Sequence, residues 1–241
     1  MIEVYAMGEI LSREALIIGD DGVNKLKGSA VALFGVGGVG SFAAEALARA
    51  GVGKIALIDN DKVMESNINR QLIALRSTIG RNKVSVMAER IRDIDPDIQV
   101  IEHPEFYLES NCDFIDFKDY DFIIDAIDTV SAKLHIICRA DAEGVPVISC
   151  MGTGNRLDPT KFNVVDISKT EGCPLARVMR YELRKRGIKS LPVVFSSEPA
   201  ARHTSVSPDN KTIGSISFVP SCAGLIAAGY VIRRLLGLQE Y

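Results

Sequence analysis

One glycine-rich segment constrains this chain more than any other feature of its sequence. Residues 34–40 read Phe-Gly-Val-Gly-Gly-Val-Gly, directly after a short apolar run and directly before a stretch of small residues that ends at Ala50. The spacing Gly-x-Gly-x-x-Gly places Gly35, Gly37 and Gly40 in a turn between a strand and a helix. Such a turn is typical of a parallel α/β sheet and lies at the end of the sheet that binds ligands.

An acidic residue follows this segment at the distance that nucleotide-binding proteins use. Asp59 lies nineteen residues after Gly40, at the end of the apolar run 55–58. Gly37 and Gly38 let backbone N–H groups approach a phosphate, and the N-terminus of the next helix attracts an anion. Asp59 is placed to accept hydrogen bonds from ribose hydroxyls. We therefore predict nucleotide binding; the alternative is a glycine turn retained for packing alone.

Apolar strand candidates alternate with amphipathic segments over the first part of the chain. Uninterrupted apolar strands indicate burial on both faces of a parallel sheet. The pattern predicts an α/β fold: a Rossmann-like, largely parallel sheet with helices on both faces. The predicted strands are 31–35, 55–59, 98–102, 122–127 and 146–150, and the predicted helices between them are 41–51, 82–93 and 131–143.

The rest of the chain is predicted to extend this domain at both ends. Residues 1–30 form an N-terminal helical segment broken near Gly19, residues 31–155 the Rossmann-like nucleotide-binding region, and residues 156–241 a C-terminal extension of the same domain. Polar and apolar residues alternate over 161–166, as in an antiparallel strand. The extension is predicted to hold strands 161–166, 191–197 and 215–219, helix 174–186, a mobile loop at about 198–212 and a C-terminal helix.

Charge, cysteines and hydropathy exclude several classes of protein. The net charge of -3 gives no general attraction to nucleic acid, so a polyanion would need a local basic patch. The five cysteines include no Cys-x-x-Cys pair, which argues against a zinc ribbon or a disulfide framework and favours a reducing cytoplasm. The N-terminus lacks the features of a signal peptide. The uncharged stretch 222–232 is shorter than the roughly 20 residues of a membrane span, so it predicts a core or dimer helix.

A second group of polar residues indicates which nucleotide binds. Asp61 follows Asp59 closely, and the segment 65–71 supplies amide and guanidinium groups near the same strand end. A guanidinium and an ammonium that converge on a phosphate site favour a triphosphate, because its charge exceeds that of a pyrophosphate bridge. The alternative is that the two cations are solvated surface charges. The candidate nucleotide ligands beyond the glycines are Asp59, Asp61, Asn67, Arg70, Gln71 and Lys83.

The fourth predicted strand supplies a candidate metal ligand. It ends in Asp125-Ala126-Ile127-Asp128, and strand C-termini in such sheets face the ligand crevice. Asp128 could therefore hold Mg²⁺ against phosphate oxygens, and its alternative role is to cap the helix that follows. Asp125, inside the strand, is predicted to be a structural hydrogen-bond acceptor.

Together these motifs resemble the adenylate-forming superfamily of ubiquitin-activating enzymes, which includes the thiamine- and molybdopterin-biosynthesis adenylyltransferases. The resemblance rests on Gly35 to Gly40, the Asn67-Ile68-Asn69-Arg70-Gln71 segment, Lys83 and Asp125 to Asp128. It implies ATP and Mg²⁺ as cofactors and a homodimer. It also implies that Asp59 binds ribose, that Asn67, Arg70 and Lys83 hold the triphosphate, that Asp128 binds the metal, and that Arg13 reaches across the dimer to the phosphates.

Two later segments indicate the branch of this superfamily. Residues 152–160 and 215–221 are similar to those of tRNA threonylcarbamoyladenosine dehydratases, and the zinc-binding cysteine pairs common in sulfur-carrier activating enzymes are missing from the sequence. The resemblance implies ATP-dependent dehydration and cyclisation of threonylcarbamoyladenosine next to the tRNA anticodon. Sulfur-transfer proteins are candidate accessory partners. The alternatives are an adenylyltransferase for the C-terminal glycine of a ubiquitin-like sulfur carrier, a dinucleotide oxidoreductase and a non-catalytic nucleotide sensor.

A tRNA substrate would need an electropositive face, and one helix candidate offers it. Arg177, Arg180 and Arg184 share one side of the predicted helix 174–186, and Lys185 extends the patch. These four residues are candidate tRNA-phosphate contacts; the alternative is a solvated charged face. Cys173, just before the helix, is interpreted as a structural thiol, although a helix N-terminus can lower the pKa of a cysteine.

Overall fold

The computed structural model describes residues 9–201 and 213–238. Its centre is one seven-stranded sheet with the spatial order β3-β2-β1-β4-β5-β7-β6. The predicted mobile loop at about 198–212 lies mostly outside the described residues. The strands are β1 (Ala30–Phe34), β2 (Lys54–Ile58), β3 (Gln99–His103), β4 (Phe122–Asp125), β5 (Val147–Cys150), β6 (Phe162–Asp166) and β7 (Pro192–Ser196).

Most of the sheet is parallel, as predicted, and one strand at its edge is antiparallel. β1 to β5 and β7 run in the same direction, while β6 pairs antiparallel with β7 along its whole length. The C-terminal extension therefore adds one antiparallel strand at the edge of the sheet, because β7 also pairs in parallel with β5. The alternating pattern of residues 161–166 fits this edge position, where one strand face is partly open to solvent.

Helices cover both faces of the sheet, as the apolar strands predict. Side chains of β1 alternate between the faces, so Val31 and Leu33 pack in one apolar cluster and Ala32 and Phe34 in another, and all four are fully buried. α2, α3 and α6 cover the first face, while α4 and α5 cover the second. The helices are α1 (Ser12–Lys27), α2 (Gly40–Arg49), α3 (Lys83–Ile94), α4 (Val130–Glu143), α5 (Pro174–Lys185) and α6 (Phe218–Leu235).

The N-terminal helix is broken where the sequence predicts. α1 contains one residue with non-helical backbone angles, Gly19, whose φ is 73° and ψ is 169°. Glycine adopts a positive φ at little steric cost, so it can join two helical segments at a kink.

The last helix corrects the predicted strand at 215–219. Residues 213–216 have no regular structure and α6 begins at Phe218. Pro220 lies in the first helical turn, where its missing N–H breaks no helical hydrogen bond. Among the described residues, α6 is the one helix long and apolar enough to cross a membrane by length and composition. In this fold it is a core helix, because Val219, Ala223 and Ala227 are fully buried in the cluster that covers the sheet.

Candidate functional site

The candidate site lies where the order of the strands reverses. The connection from β1 leads to β2 on one side, and β4 lies on the other side of β1. In open α/β sheets a crevice forms at this point, beyond the C-terminal ends of the strands. A cavity of about 520 Å³ opens here, a size typical of small-molecule sites. Ten of the predicted residues line it: Gly35, Gly37, Gly38, Asp59, Asp61, Asn67, Arg70, Gln71, Lys83 and Asp128.

Each of the three glycines of the fingerprint is needed for a different physical reason. Gly35 has a φ of 90°, and a Cβ there would lie 2.7 Å from the carbonyl oxygen of Ala126. A Cβ on Gly40 would lie 1.7 Å from the carbonyl oxygen of Gly35, so Gly40 lets α2 begin against the turn. A Cβ on Gly37 would meet one atom within 4 Å, at 3.8 Å, which leaves its backbone open to the cavity. Gly40 thus shapes the cavity from beneath without lining it.

Asp59 connects the end of β2 to the glycine turn. Its Oδ2 accepts a hydrogen bond of 2.7 Å from the N–H of Val36, and its Oδ1 accepts one of 2.8 Å from the N–H of Asp61. Burial raises the pKa of the Asp59 carboxyl above its ordinary value, against the opposing effect of the Lys83 ammonium and the two N–H donors. The carboxylate is therefore fixed in the cavity wall.

Lys83 is held at the cavity by the predicted acidic pair. It is the first residue of α3 and is buried, and its Nζ lies 2.7 Å from Asp61 Oδ2 and 3.9 Å from Asp59 Oδ2. The backbone N–H of Lys83 also donates to the carbonyl of Asp61. Asp61 therefore positions the ammonium, and its direct contact with the nucleotide stays a prediction.

The segment after Asp61 folds over one side of the cavity. Arg70 donates from Nη1 to the carbonyl of Ser66 and to Asn69 Oδ1, at 2.9 and 2.8 Å. Asn67 is buried, and its Oδ1 accepts from the N–H of Met64 at 3.1 Å, which closes a local turn. Gln71 Oε1 is buried and has no hydrogen-bond partner in the described part of the chain. The guanidinium and one amide thus face the same cavity as Lys83.

Asp128 carries a carboxylate that is free to bind a cation. It lies at the cavity in the loop between β4 and α4, is exposed, and makes no hydrogen bond or ion pair with residues 9–201 and 213–238. The cap position of α4 is Thr129, so the alternative capping role of Asp128 is not realised. No cluster of three or more potential metal ligands is found among the described residues. The Asp128 carboxylate is the kind of oxygen ligand that Mg²⁺ uses together with phosphate oxygens.

A buried ion pair beneath this loop escaped the sequence analysis. Lys133 is fully buried, and its Nζ lies 2.9 Å from Asp125 Oδ2 and donates to the carbonyls of Ile127 and Cys150 at 3.1 and 2.9 Å. Asp125 is the structural acceptor that was predicted, and it also binds Ser149 Oγ at 2.6 Å. The ammonium thus ties together the ends of β4 and β5, from which two cavity loops start. A lysine followed at i+3 and i+4 by two isoleucines was the available signal of a buried position.

The sequence analysis also missed several walls of the cavity. Tyr107 lines it, its hydroxyl lies 3.0 Å from His135 Nδ1, and burial raises the pKa of Tyr107 to about 12. Pro220 of α6 packs 3.3 Å from the place of a Cβ on Gly38. Asn69 Nδ2 donates to the carbonyl of Ser215, which closes the cavity from the C-terminal side.

Two other predicted groups lie outside this cavity. Arg13 is exposed on α1 and does not line it. On α5, Arg177 and Arg184 are exposed and have no partner in the described chain, whereas Arg180 donates to the carbonyl and Oγ1 of Thr170, both at 2.6 Å. Lys185 pairs with Glu182 at 3.2 Å. Only two of the four predicted cations are thus free to contact a phosphate without rearranging.

Comparisons with known proteins agree with this geometry. A model described as the ThiF family matches residues 11–241. The chain belongs to the ThiF family. Within this family, the chain is similar to the tRNA threonylcarbamoyladenosine dehydratase of Bacillus subtilis (strain 168). The two are 47% identical over an alignment 243 residues long, which covers 93% of this chain and 94% of that relative.

Solved structures extend the ThiF-family likeness to the fold. The E. coli tRNA N6-threonylcarbamoyladenosine dehydratase, TcdA, in complex with AMP has a TM-score of 0.86 and 34% identity, and the match covers 92% of each chain. The same E. coli protein in complex with ATP has a TM-score of 0.84 and 33% identity, again over 92% of each chain. The predicted superfamily and fold class are confirmed.

Proposed function

We propose that this protein is an ATP-dependent tRNA threonylcarbamoyladenosine dehydratase. The observation that carries the proposal is one cavity that combines the glycine turn, the fixed Asp59 carboxylate, two cations and the free Asp128 carboxylate. The chain is similar to proteins with this name over almost its whole length, and this similarity supports the choice of substrate. ATP is the proposed cosubstrate, Mg²⁺ the proposed metal and tRNA the proposed macromolecular partner.

The first step makes a carboxylate attackable. A free carboxylate resists nucleophiles because its leaving group would be oxide. In the proposed step a carboxylate oxygen of the threonyl group attacks the α-phosphorus of ATP, and pyrophosphate leaves with the electron pair of the broken P–O bond. The new leaving group on the acyl carbon is then AMP.

The second step closes a ring. A ureido nitrogen of the same modification attacks the activated carbonyl, a C–N bond forms, the C–O bond to AMP breaks, and the nitrogen releases its proton. The nucleoside has then lost the elements of water and gained a five-membered ring. Holding the two groups together can supply on the order of 7–11 kcal/mol of the barrier in the best model systems, so no covalent enzyme intermediate is needed.

The cavity residues have separable parts in this chemistry. Arg70 and Lys83 stabilise negative charge on the phosphates, and Asp59 orients the nucleotide through its ribose. Asp128 would hold Mg²⁺ with phosphate oxygens, and the ion would supply charge neutralisation. Asn67 and Gln71 complete the wall beside the glycine turn.

The tRNA is proposed to contact the basic side of α5. Arg177 and Arg184 are exposed and unpaired within the described chain, so they can neutralise phosphates without losing other contacts. Arg180 and Lys185 add positive charge nearby, although each already has a partner. This patch supplies the local attraction that a chain of net charge -3 needs.

A homodimer in the cytoplasm is the proposed working form. Leu16 and Ile17 on α1 are 87% and 86% exposed, an apolar surface beside Arg13 that a second copy could cover. Arg13 would then reach the phosphates in the cavity of the partner subunit. We also propose sulfur-transfer proteins as accessory partners.

The second candidate function is the adenylation of a ubiquitin-like sulfur carrier at its C-terminal glycine. The cavity chemistry would serve it equally well, since a carboxylate is activated in both reactions. The relatives that match over most of the chain carry the dehydratase name, which favours the first candidate. Dependence of pyrophosphate exchange on a small protein with a Gly-Gly tail would favour the second.

Mass spectrometry of tRNA nucleosides tests the proposal. Purified protein is incubated with ATP, Mg²⁺ and tRNA that carries threonylcarbamoyladenosine. We expect a product lighter by one water, formed only with ATP and strongly reduced in Asp128→Ala. Unchanged threonylcarbamoyladenosine after incubation with folded, ATP-binding protein would refute it.

A further inference from the structure

One side of α5 borders a second cavity, which we call the α5 groove. It is open, has a volume of about 910 Å³, and contains an exposed aromatic ring, Tyr181, which is 61% exposed. Val178, 45% exposed, adds apolar surface beside the ring. The described residues that line the groove are Gly172, Cys173, Pro174, Arg177, Val178, Arg180, Tyr181 and Arg184, with no acidic side chain among them.

The cations of the groove lie on both sides of the ring. Arg177, Tyr181 and Arg184 are spaced i, i+4 and i+7, so they share one face of α5. The acid of this helix, Glu182, is engaged by Lys185 and Arg186 instead. Lys185 Nζ also lies 4.1 Å from the centre of the Tyr181 ring, a cation–π contact that orients the ring.

The α5 groove and the nucleotide cavity are close neighbours. Cys173 is buried at the edge of the groove, and its Sγ lies 3.7 Å from the place of a Cβ on Gly152. The next residue, Thr153, lines the nucleotide cavity. One short segment of chain therefore separates the two sites, so one flexible strand of nucleic acid can reach both.

From this arrangement we infer that the α5 groove binds an unstacked base of the tRNA anticodon loop, a neighbour of the adenosine that reacts. The base stacks on Tyr181, and its flanking phosphates contact Arg177 and Arg184. Single-stranded loops are recognised in this way because their bases can leave the stack and lie on aromatic side chains. A patch that binds phosphates alone would need no exposed aromatic ring between its cations. The inference depends on the proposed tRNA substrate.

The experiment measures binding of an anticodon stem-loop RNA that carries threonylcarbamoyladenosine, with 2-aminopurine at either neighbouring position. For Tyr181→Ala we expect a Kd for this RNA about 5- to 150-fold higher than wild type, the range of one lost base–aromatic stack. Tyr181→Phe keeps the ring and should stay within about twofold. The fluorescence of one 2-aminopurine position should be quenched by wild type and by Tyr181→Phe but not by Tyr181→Ala.

Further variants separate stacking from charge. Arg177→Gln and Arg184→Gln should each weaken binding and reduce the salt dependence by about 0.7 in the log–log slope, while Lys118→Gln, an exposed cation outside the groove, should do neither. The ATP Kd should be unchanged in every variant. If wild type dehydrates the tRNA but Tyr181→Ala binds the RNA within twofold of wild type, the groove inference is overturned and the proposed function stands. If wild type neither binds nor dehydrates it, both fail.

Discussion

Alanine substitutions at two glycines of the fingerprint should separate phosphate binding from folding. Gly37 and Gly40 are three residues apart, yet their surroundings differ completely. A Cβ on Gly37 would meet a single side-chain atom at 3.8 Å, whereas a Cβ on Gly40 would lie 1.7 Å from the carbonyl oxygen of Gly35. A carbon and a carbonyl oxygen normally stay about 3.3 Å apart or more. Gly40→Ala therefore requires α2 and the turn to separate by roughly 1.6 Å.

The expected energies follow from these distances. Gly40→Ala should lower the free energy of unfolding by about 3 kcal/mol or more, at the upper end of overpacking, because backbone atoms on both sides must move. Gly37→Ala should leave it unchanged or raise it by up to about 1 kcal/mol, since alanine restricts the unfolded chain. The same methyl group enters the space of the phosphate, however. Losing one N–H bond to a charged group costs about 1.5–3 kcal/mol, so the ATP Kd should rise roughly 10- to 150-fold.

Urea unfolding and calorimetric titration with ATP and Mg²⁺ measure the two quantities. Gly229→Ala is a matched control, because a Cβ at this helical position meets no atom within 4 Å and lies outside the cavity. It should retain the ATP Kd and gain up to about 1 kcal/mol of stability. A folded Gly37→Ala protein with the wild-type ATP Kd would refute the assignment of the glycine turn as the phosphate site.

The remaining predictions concern the buried pair, a half-buried aspartate and the dimer. Lys133→Met should lower the free energy of unfolding, measured in urea, by about 3–5 kcal/mol, because it leaves the Asp125 carboxylate buried without its cation. Adding Asp125→Asn to this variant should restore part of the loss. Equal stability of the single and the double variant would contradict this prediction. Partial burial raises the pKa of Asp166, but hydrogen bonds from serine and backbone groups outweigh it and lower the pKa to about 2 from an ordinary 3.8. The ionised carboxylate therefore stabilises the fold fully above pH 3.8, and this stabilisation is lost as the pH falls towards 2. Asp166→Asn should be less stable than wild type by about 1 kcal/mol at neutral pH, after allowance for solvent screening, and the difference should vanish near pH 2. A difference that does not depend on pH would contradict this prediction. Mixing inactive Arg13→Ala and Asp128→Ala proteins should restore part of the dehydratase activity if the arginine acts across a dimer, and no recovery after verified subunit exchange would contradict that arrangement.

Sequence patterns predicted the nucleotide cavity well because its residues belong to strand ends and turns. Gly35, Asp59 and Asp128 each follow an apolar strand, and parallel strands bring their C-terminal ends to one edge of the sheet. The spacing of residues along the sequence therefore predicted which of them meet in the fold. Lys133 shows the limit, because its role depends on carbonyls of two different strands that no local pattern brings together.

The parts beyond residue 155 were harder to predict because their partners are distant in sequence. β7 inserts between β5 and β6, so its direction is set by a neighbour more than forty residues earlier. Residues 215–219 were predicted to be a strand, but Pro220 and the packing of Gly224 against the backbone of Val39 show that this segment leads into a core helix. Helical spacing placed Arg180 with Arg177 on one face of α5, but only the structure shows that Thr170 engages it.

Oxygen-18 tracing tests the central claim most directly, namely that ATP converts the threonyl carboxylate into an acyl-adenylate before the ring closes. tRNA is prepared with oxygen-18 in both carboxylate oxygens of threonylcarbamoyladenosine and incubated with the protein and unlabelled ATP. The account predicts that one labelled oxygen appears in the phosphate of AMP while the cyclised nucleoside keeps the other. Label released as water, or found in inorganic phosphate alongside ADP, would contradict it.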